Sequence, residues 1–338
     1  MNIKILAEQL NLSISTVSRA LRDSYEISEP TKARVRAMAK QLNYRINPYA
    51  SSLRRHRSKT IAVLIPEITN NFFSQVINGI EYIAQEKNYH ILIYITHEDV
   101  RKEIEFAHHL HNGRVDGVLM SVSAETNNYD HLNELMESGV PIVFFDRICE
   151  SIETSSIITD DFESGFAATE HLFQCGCRRI GFFGLFEHLS ISRKRYEGYL
   201  AALKKYGINK DDDLIVRSGN DIAANEAAIT KVLTSANKPD GAFASIEKMA
   251  IASYNVCKRL DIDIPSQLKL ISFSNLEIST LLNPSLTTIT QPAYEIGKQA
   301  AMQLFRYLEK KLYMNRHEKI VLKSSLIPRQ STKKTHSA

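Results

Sequence analysis

Near the N-terminus, Ser13, Ile14, Ser15, Thr16, Ser18, Arg19 and Arg22 fall within ten residues. If Ser13 caps a helix whose Val17, Ala20 and Leu21 face inward, then Ser15, Arg19 and Arg22, four and three residues apart, line the opposite face, with Ile14 at its exposed start. Arginine on such a face can donate two parallel hydrogen bonds to the O6 and N7 acceptors of guanine, and the neighbouring hydroxyls can contact phosphates or base edges. A second basic stretch follows. Asn47-Pro48 has the cap-then-proline signature of a helix start, and Tyr49, Ala50 and Leu53 lead into Arg54, Arg55, His56 and Arg57. One or two turns are too few to be stable alone, so this segment is either a helix that forms only when supported, with Leu53 able to wedge into a minor-groove step, or a flexible basic linker.

A different set of side chains lies at the ends of strand-like runs. Phe72 and Phe73, in NNFF, can offer an aromatic face to a ring, or simply belong to a core. Asp146 closes PIVFFD, Asp160 follows SSIIT, and Arg195 lies in SRKRYEGY. Carboxylates and a guanidinium in these places can hold vicinal hydroxyls, or can be ordinary surface charges.

The elements needed to position these residues are legible. Ile3, Leu6, Ala7 and Leu10 form one helical face, Asn11 is suited to the tight turn after it, and Ser28, Pro30, Val35, Met38, Ala39 and Leu42 mark a third helix. Two short helices joined by a tight turn match the helix-turn-helix pattern. Beyond residue 59, strands at 61–65, 91–95, 118–120, 142–145, 180–183, 242–244 and 270–273 alternate with helices, one of which carries Phe72, Val76, Ile80 and Ile83 on one face. Such alternation implies parallel sheets covered by helices, and the length suits two lobes with a cleft between them. The fold class expected is therefore an all-α helix-turn-helix head followed by a two-lobed α/β domain.

Charge and composition agree with that division. Residues 1–59 hold twelve Lys or Arg against Glu8, Asp23, Glu26 and Glu29, a local +8 in a chain of 338 residues whose net charge is +4, so the remainder carries −4. A basic head on a mildly acidic body points to a polyanion as the head's partner. MNIKILAEQL breaks its apolar run at Glu8 and Gln9, and no stretch approaches the ~20 apolar residues of a membrane span; a soluble, cytoplasmic protein is expected. Cys149, Cys175, Cys177 and Cys257 show no disulfide spacing. His171 with Cys175 and Cys177 lacks a fourth ligand, and no metal or cofactor is expected. Nothing matches a phosphate-cradling loop, a nucleophile elbow or a zincin motif, so no enzyme is expected.

STVSRAL at 15–21, ISEPTKARV at 27–35, LNYRINPYASSLR at 42–54 and TIAVLIPEITNNFFSQVINGIE at 60–81 strongly resemble the lactose-repressor (LacI/GalR-type) family, and the resemblance continues in register to IPRQST near the C-terminus. It implies a sequence-specific DNA-binding transcription regulator responding to a small molecule, most simply a sugar or sugar derivative. It places Ile14, Ser15 and Arg19 at base-reading positions and Leu53 at the intercalating position. It also implies a fold like that of periplasmic sugar-binding proteins, with three crossings between lobes. The divisions expected are a head at 1–45, a hinge at 46–59, a two-lobed domain at 60–331 and a polar tail at 332–338. Lobe one takes 60–159 and 290–320; lobe two takes 160–289 and 321–331.

The chain departs from the family pattern where Asn-Asp is common and Ile246-Glu247 stands, and where Gly-Phe-Asp is common and Ser272-Phe273-Ser274 stands. Losing one carboxylate while keeping Arg195 favours a sugar acid as effector, with a larger neutral saccharide next, unless Glu247 or a water replaces the missing contacts. The working unit expected is a homodimer on a near-palindromic operator, since one short helix reads too few bases. Two other readings are a regulator answering to a protein co-effector, with a vestigial cleft, and a sugar-binding transport protein; the basic head argues against the latter.

Overall fold

Why the first residues fold at all is a question of seven side chains. Leu6, Ala7 and Leu10 of α1 (Ile3–Leu10), Val17 and Ala20 of α2 (Ile14–Leu21), and Val35 and Ala39 of α3 (Glu29–Gln41) close into one small core. The turn between α1 and α2 rests on Asn11, whose φ of 50° is a left-handed conformation that asparagine tolerates. The Ser13 side chain then accepts from the Thr16 N–H at 3.1 Å, satisfying one of the donors that the start of α2 leaves open. The computed structural model describes residues 3–44, 58–111, 113–185, 188–217, 219, 221–309 and 317–333. It divides into two compact units, Met1–Ser58 and Lys59–Ala338. The expected hinge residues Asn47, Tyr49, Ala50, Leu53 and Arg54 lie outside the described residues.

The second unit contains two six-stranded sheets. The first uses β1 (Thr60–Ile65), β2 (His90–Ile95), β3 (Gly117–Met120), β4 (Ile142–Phe145), β5 (Ser156–Thr159) and β11 (Lys319–Leu322). Its spatial order is β11-β5-β4-β3-β1-β2, parallel throughout. The second uses β6 (Ile180–Leu185), β7 (Ile215–Arg217), β8 (Gly241–Ala244), β9 (Lys269–Phe273), β10 (Thr287–Thr290) and β12 (Ser325–Ile327). It runs β12-β10-β9-β8-β6-β7, with only β12 antiparallel to its neighbour. Strands buried on both faces explain the unbroken apolar runs, such as IAVLI of β1.

Three boundaries differ from expectation. Residues 319–322 pair with β5, so the last crossing follows Leu322, and a boundary at 320 would cut a strand. Thr290 pairs with Ser325 in the second sheet, which moves the middle crossing to Gln291. Thr332 is no part of a loose tail: it is 2% exposed, and its Oγ1 bonds to His171 Nε2 and Thr287 Oγ1, both at 2.8 Å.

Each lobe locks a helix pair through reciprocal glycines. In the first, α4 (Asn71–Glu86) meets α11 (Ala293–Glu309) so closely that a Cβ on Gly79 would lie 2.1 Å from Tyr294 O, and one on Gly297 2.0 Å from Val76 O. In the second, α7 (Asp161–Gln174) meets α8 (Ser190–Lys205), where a Cβ on Gly165 would lie 2.4 Å from Arg195 O and one on Gly198 2.2 Å from Phe162 O. Only glycine permits backbones this near. Also relevant below are α5 (Val100–Leu110), α6 (Asp130–Glu137) and α10 (Glu247–Arg259).

Candidate effector cleft and DNA-binding face

On the head, α2 presents Ile14, Ser15, Arg19 and Arg22 to solvent, while Thr16 and Ser18 are half-buried. Ser13 is exposed, but its hydroxyl is occupied by the cap and by Ser15 Oγ at 2.7 Å. Arg19 pairs with Glu26 at 2.7 Å. Both partners are well exposed, so this bond is worth at most about 1 kcal/mol and yields readily to a bidentate base contact. Asp23 and Glu29 are likewise engaged, by Lys32 at 3.1 and 2.8 Å, and Asp23 also by Arg36 at 2.7 Å. Three of the head's four carboxylates thus sit against cations of the head itself, which limits their repulsion of a polyanion.

In the second unit, both sheets run the same course: the first strand is flanked by the second on one side and the third on the other. The carboxyl ends beside that reversal are where open α/β sheets bind ligands. Phe72 and Phe73 open α4 just after β1, and Asp146 ends β4. Arg195 lies in the second turn of α8 after β6, Glu247 starts α10 after β8, and Ser274 follows β9. These six side chains line one inner chamber of about 50 Å³, together with Asn70, Arg147 and Gln291. Asn70, Arg147, Ile246 and Glu247 also line an adjoining cavity of about 280 Å³, so the two form one cleft. A monosaccharide does not fit the inner chamber alone, and the outer one approaches the size of a small-molecule site.

Asp160 is the exception. Its Oδ1 accepts from Ser164 Oγ at 3.1 Å and from Ser324 N at 2.8 Å, tying two crossings together, and it lines neither chamber of the cleft. The carboxylate that faces Arg195 belongs to Asp161, at 2.7 Å. Two adjacent aspartates at a helix start look alike in sequence; the first turn of α7 decides between them.

Arg195 is also not the free cation expected. It is 3% exposed, donates to Asp161 and to Ser245 O (2.7 Å), and lies 3.7 Å over the Phe273 ring. Burial pushes the Asp161 carboxyl up despite the opposing Arg195 charge. Asp146 has a φ of 60° and is 6% exposed. Burial raises its pKa to about 6, against the pull of Arg147 and Arg195. Glu247 accepts from Ser274 Oγ at 2.6 Å, and burial raises it as well. The two positions that depart from the family pattern therefore bond to each other.

Sequence reasoning missed Arg147, Glu98 and the crossing residues. Arg147 Nη1 donates to both oxygens of Glu98, at 2.9 and 2.7 Å, while its buried Nε has no hydrogen-bond partner. Burial works to raise Glu98, but Arg147 and the Ala124 N–H hold it below the usual range. Adjacency to Asp146 at a strand end was the available signal for Arg147. Gln291 Nε2 donates to Thr159 Oγ1 (3.1 Å), and Asn275 Nδ2 to Gln291 O (2.8 Å) and to Gln75 Oε1 (3.2 Å) on the other lobe. No sequence pattern marks these.

Comparison with known proteins matches residues 2–47 to the family model described as bacterial regulatory proteins, lacI family, and residues 169–332 to a periplasmic binding protein-like domain. The chain is 30% identical to the HTH-type transcriptional repressor CytR of Escherichia coli K12 over 91% of its own length and 89% of that protein's. The chain belongs to the lacI family. Among solved structures, a LacI-family transcriptional regulator from Silicibacter pomeroyi matches this LacI-family chain at TM-score 0.80, with 26% identity, over 98% of this chain and 99% of that one. A LacI-family regulator from Enterococcus faecium with bound ribose matches at TM-score 0.71, with 27% identity, over 82% of this chain and 99% of that one. This LacI-family regulator thus joins a helix-turn-helix DNA-binding head to a two-lobed α/β domain of the periplasmic binding type. Among the described residues, no helix is long and apolar enough to cross a membrane.

Proposed function

We propose that this chain is a cytoplasmic homodimeric transcriptional repressor whose operator affinity is set by a neutral saccharide bound between its lobes, in a binding role and not a catalytic one. The observation that carries this is the cleft itself. Phe72 and Phe73, at the edge of one lobe's core, and Arg195, Glu247 and Ser274 from the other lobe converge on a space lined by aromatic and polar side chains, the lining that vicinal hydroxyls require. A sugar acid is disfavoured on charge. Arg195 and Arg147 already hold Asp161 and Glu98, and Glu67, Asp146 and Glu247 add three carboxylates to the lining against one further cation, Lys248. The ribose bound to the Enterococcus faecium relative supports the saccharide class.

Homodimerisation is supported by β2, an edge strand whose Leu92 and Ile93 are 42% and 40% exposed. A long apolar edge left open invites pairing, and a second copy is the simplest cover.

The test is fluorescence anisotropy on a labelled near-palindromic operator, titrated with neutral pentoses, hexoses, disaccharides and uronates. Neutral saccharides should shift operator affinity at least tenfold and saturably. A response confined to uronates, or to none of them, refutes the reading. In the same assay, Arg19→Ala should lose about 1–3 kcal/mol on the operator and much less on random DNA.

A further inference from the structure

Away from the cleft, the last turn of α5 carries His108, and His111 follows as its cap. His111 has φ −58° and ψ −29°, so helical backbone continues through it, and residues three apart share a face. The two rings lie 6.1 Å apart with 22° between their planes. Beside α5 packs α6, both helices contributing to one core through Ala107, Leu110, Leu132 and Leu135. From α6, Glu134 brings a carboxylate toward the same point: one ligand atom from each of His108, His111 and Glu134 lies within 4.8 Å of the others. We propose that these three side chains form a transition-metal site on the first lobe, taking zinc or a similar borderline divalent cation.

Two imidazoles and a carboxylate are a three-ligand set that zinc accepts, with a water completing the coordination. Bonds of about 2.0–2.2 Å place tetrahedral ligand atoms roughly 3.3–3.6 Å apart, so the cluster must tighten by about 1 Å. His108 and Glu134 are exposed and can supply that movement by side-chain rotation alone. A second observation points the same way. His111 Nε2 is shielded from solvent and has no hydrogen-bond partner, whereas buried polar atoms are almost always satisfied. Imidazoles placed merely to complement a helix C-terminus account for exposed histidines, but not for a ring nitrogen turned inward without a partner, nor for the facing carboxylate. Nitrogen ligands favour zinc over magnesium or calcium.

Such an ion would fasten α5 to α6. Just before α5 starts at Val100, Glu98 grips Arg147 in the cleft, and within it Glu103 accepts from Ser123 N (2.7 Å) and meets His131 of α6 at 3.0 Å. The site is therefore one helix away from the cleft wall. It departs from the expectation, drawn from the cysteines and His171, that the chain holds no metal.

The experiment uses the full chain after chelator treatment, with calorimetric titration of zinc and the visible absorption of bound cobalt(II) as readouts. One equivalent per chain should bind with a Kd below about 100 µM. His108→Ala and Glu134→Gln, both exposed and so not expected to disturb folding, should each raise Kd at least tenfold and remove the cobalt band. His109→Ala, next in sequence and also exposed, should change neither. No zinc binding in this range, binding that survives His108→Ala with Glu134→Gln at unchanged affinity, or equal loss in His109→Ala overturns the assignment.

Discussion

Asp146 and Arg195 are each held in a state that costs the protein something. With Asp146 raised to about 6 from an ordinary 3.8, the native state favours the protonated carboxyl, so this residue's contribution to stability is complete below about pH 4 and is lost as pH rises through 6. Asp146→Asn should therefore be more stable than the parent at pH 7, with the gain shrinking to nothing by about pH 4, as paired urea denaturation curves across that range would register. The same variant should bind effector more weakly, because an amide cannot accept with both heads. Arg195 raises the opposite concern. Removing it leaves the buried Asp161 carboxylate without its cation, and Arg195→Ala should cost about 3–5 kcal/mol, much of it recovered in Arg195→Ala with Asp161→Ala. If the single and double variants denature alike, the pair carries no such penalty. Legibility at this scale followed strand ends: Asp146 and Ser274 stand immediately after predicted strands, and Glu247 three positions after one. Arg147 with Glu98, and Asp161 with Arg195, are pairings across 49 and 34 positions, and local pattern carries no record of them.

Helices and strands with long apolar runs were legible because burial on both faces of a parallel sheet forces such runs. The strands that escaped notice are short or mixed: IVR of β7, TTIT of β10, KIVL of β11 and SLI of β12. Their pairing partners, not their own composition, make them strands. The glycine locks were equally unreadable, since a glycine inside a helix means close approach only once the neighbour is known. Gly165 shows the consequence for function. An added methyl would meet the Arg195 carbonyl, and α7 and α8 must separate to admit it. Gly165→Ala should cost about 1–3 kcal/mol and, by displacing Arg195 from Asp161, weaken effector binding as well. Calorimetry on effector with a parallel melting curve separates the two effects; a lowered melting temperature with unchanged affinity would show that Arg195 does not depend on this packing.

Over the whole sensor unit, the lobes are joined by three adjacent crossings, the first bonded to each of the other two: Gln291 to Thr159, and Ser324 to Asp160. Asp160→Ala removes the last of these at a cost of about 1–2 kcal/mol. It should leave effector affinity within about threefold while changing how far effector shifts operator affinity. Loss of effector binding in that variant would return Asp160 to the cleft wall. The double-lobed plan was legible from alternation and length, and the family resemblance implied three crossings with the first after residue 159; the positions of the other two had to be read from sheet membership. Each lobe, stiffened by its own pair of interlocked helices, behaves as a solid plate, and the bonded crossings are the pin through both. A pin allows one kind of swing and resists the rest. A ligand caught between the plates would then have only an angle to choose, and under the proposed function that angle is the whole of its message.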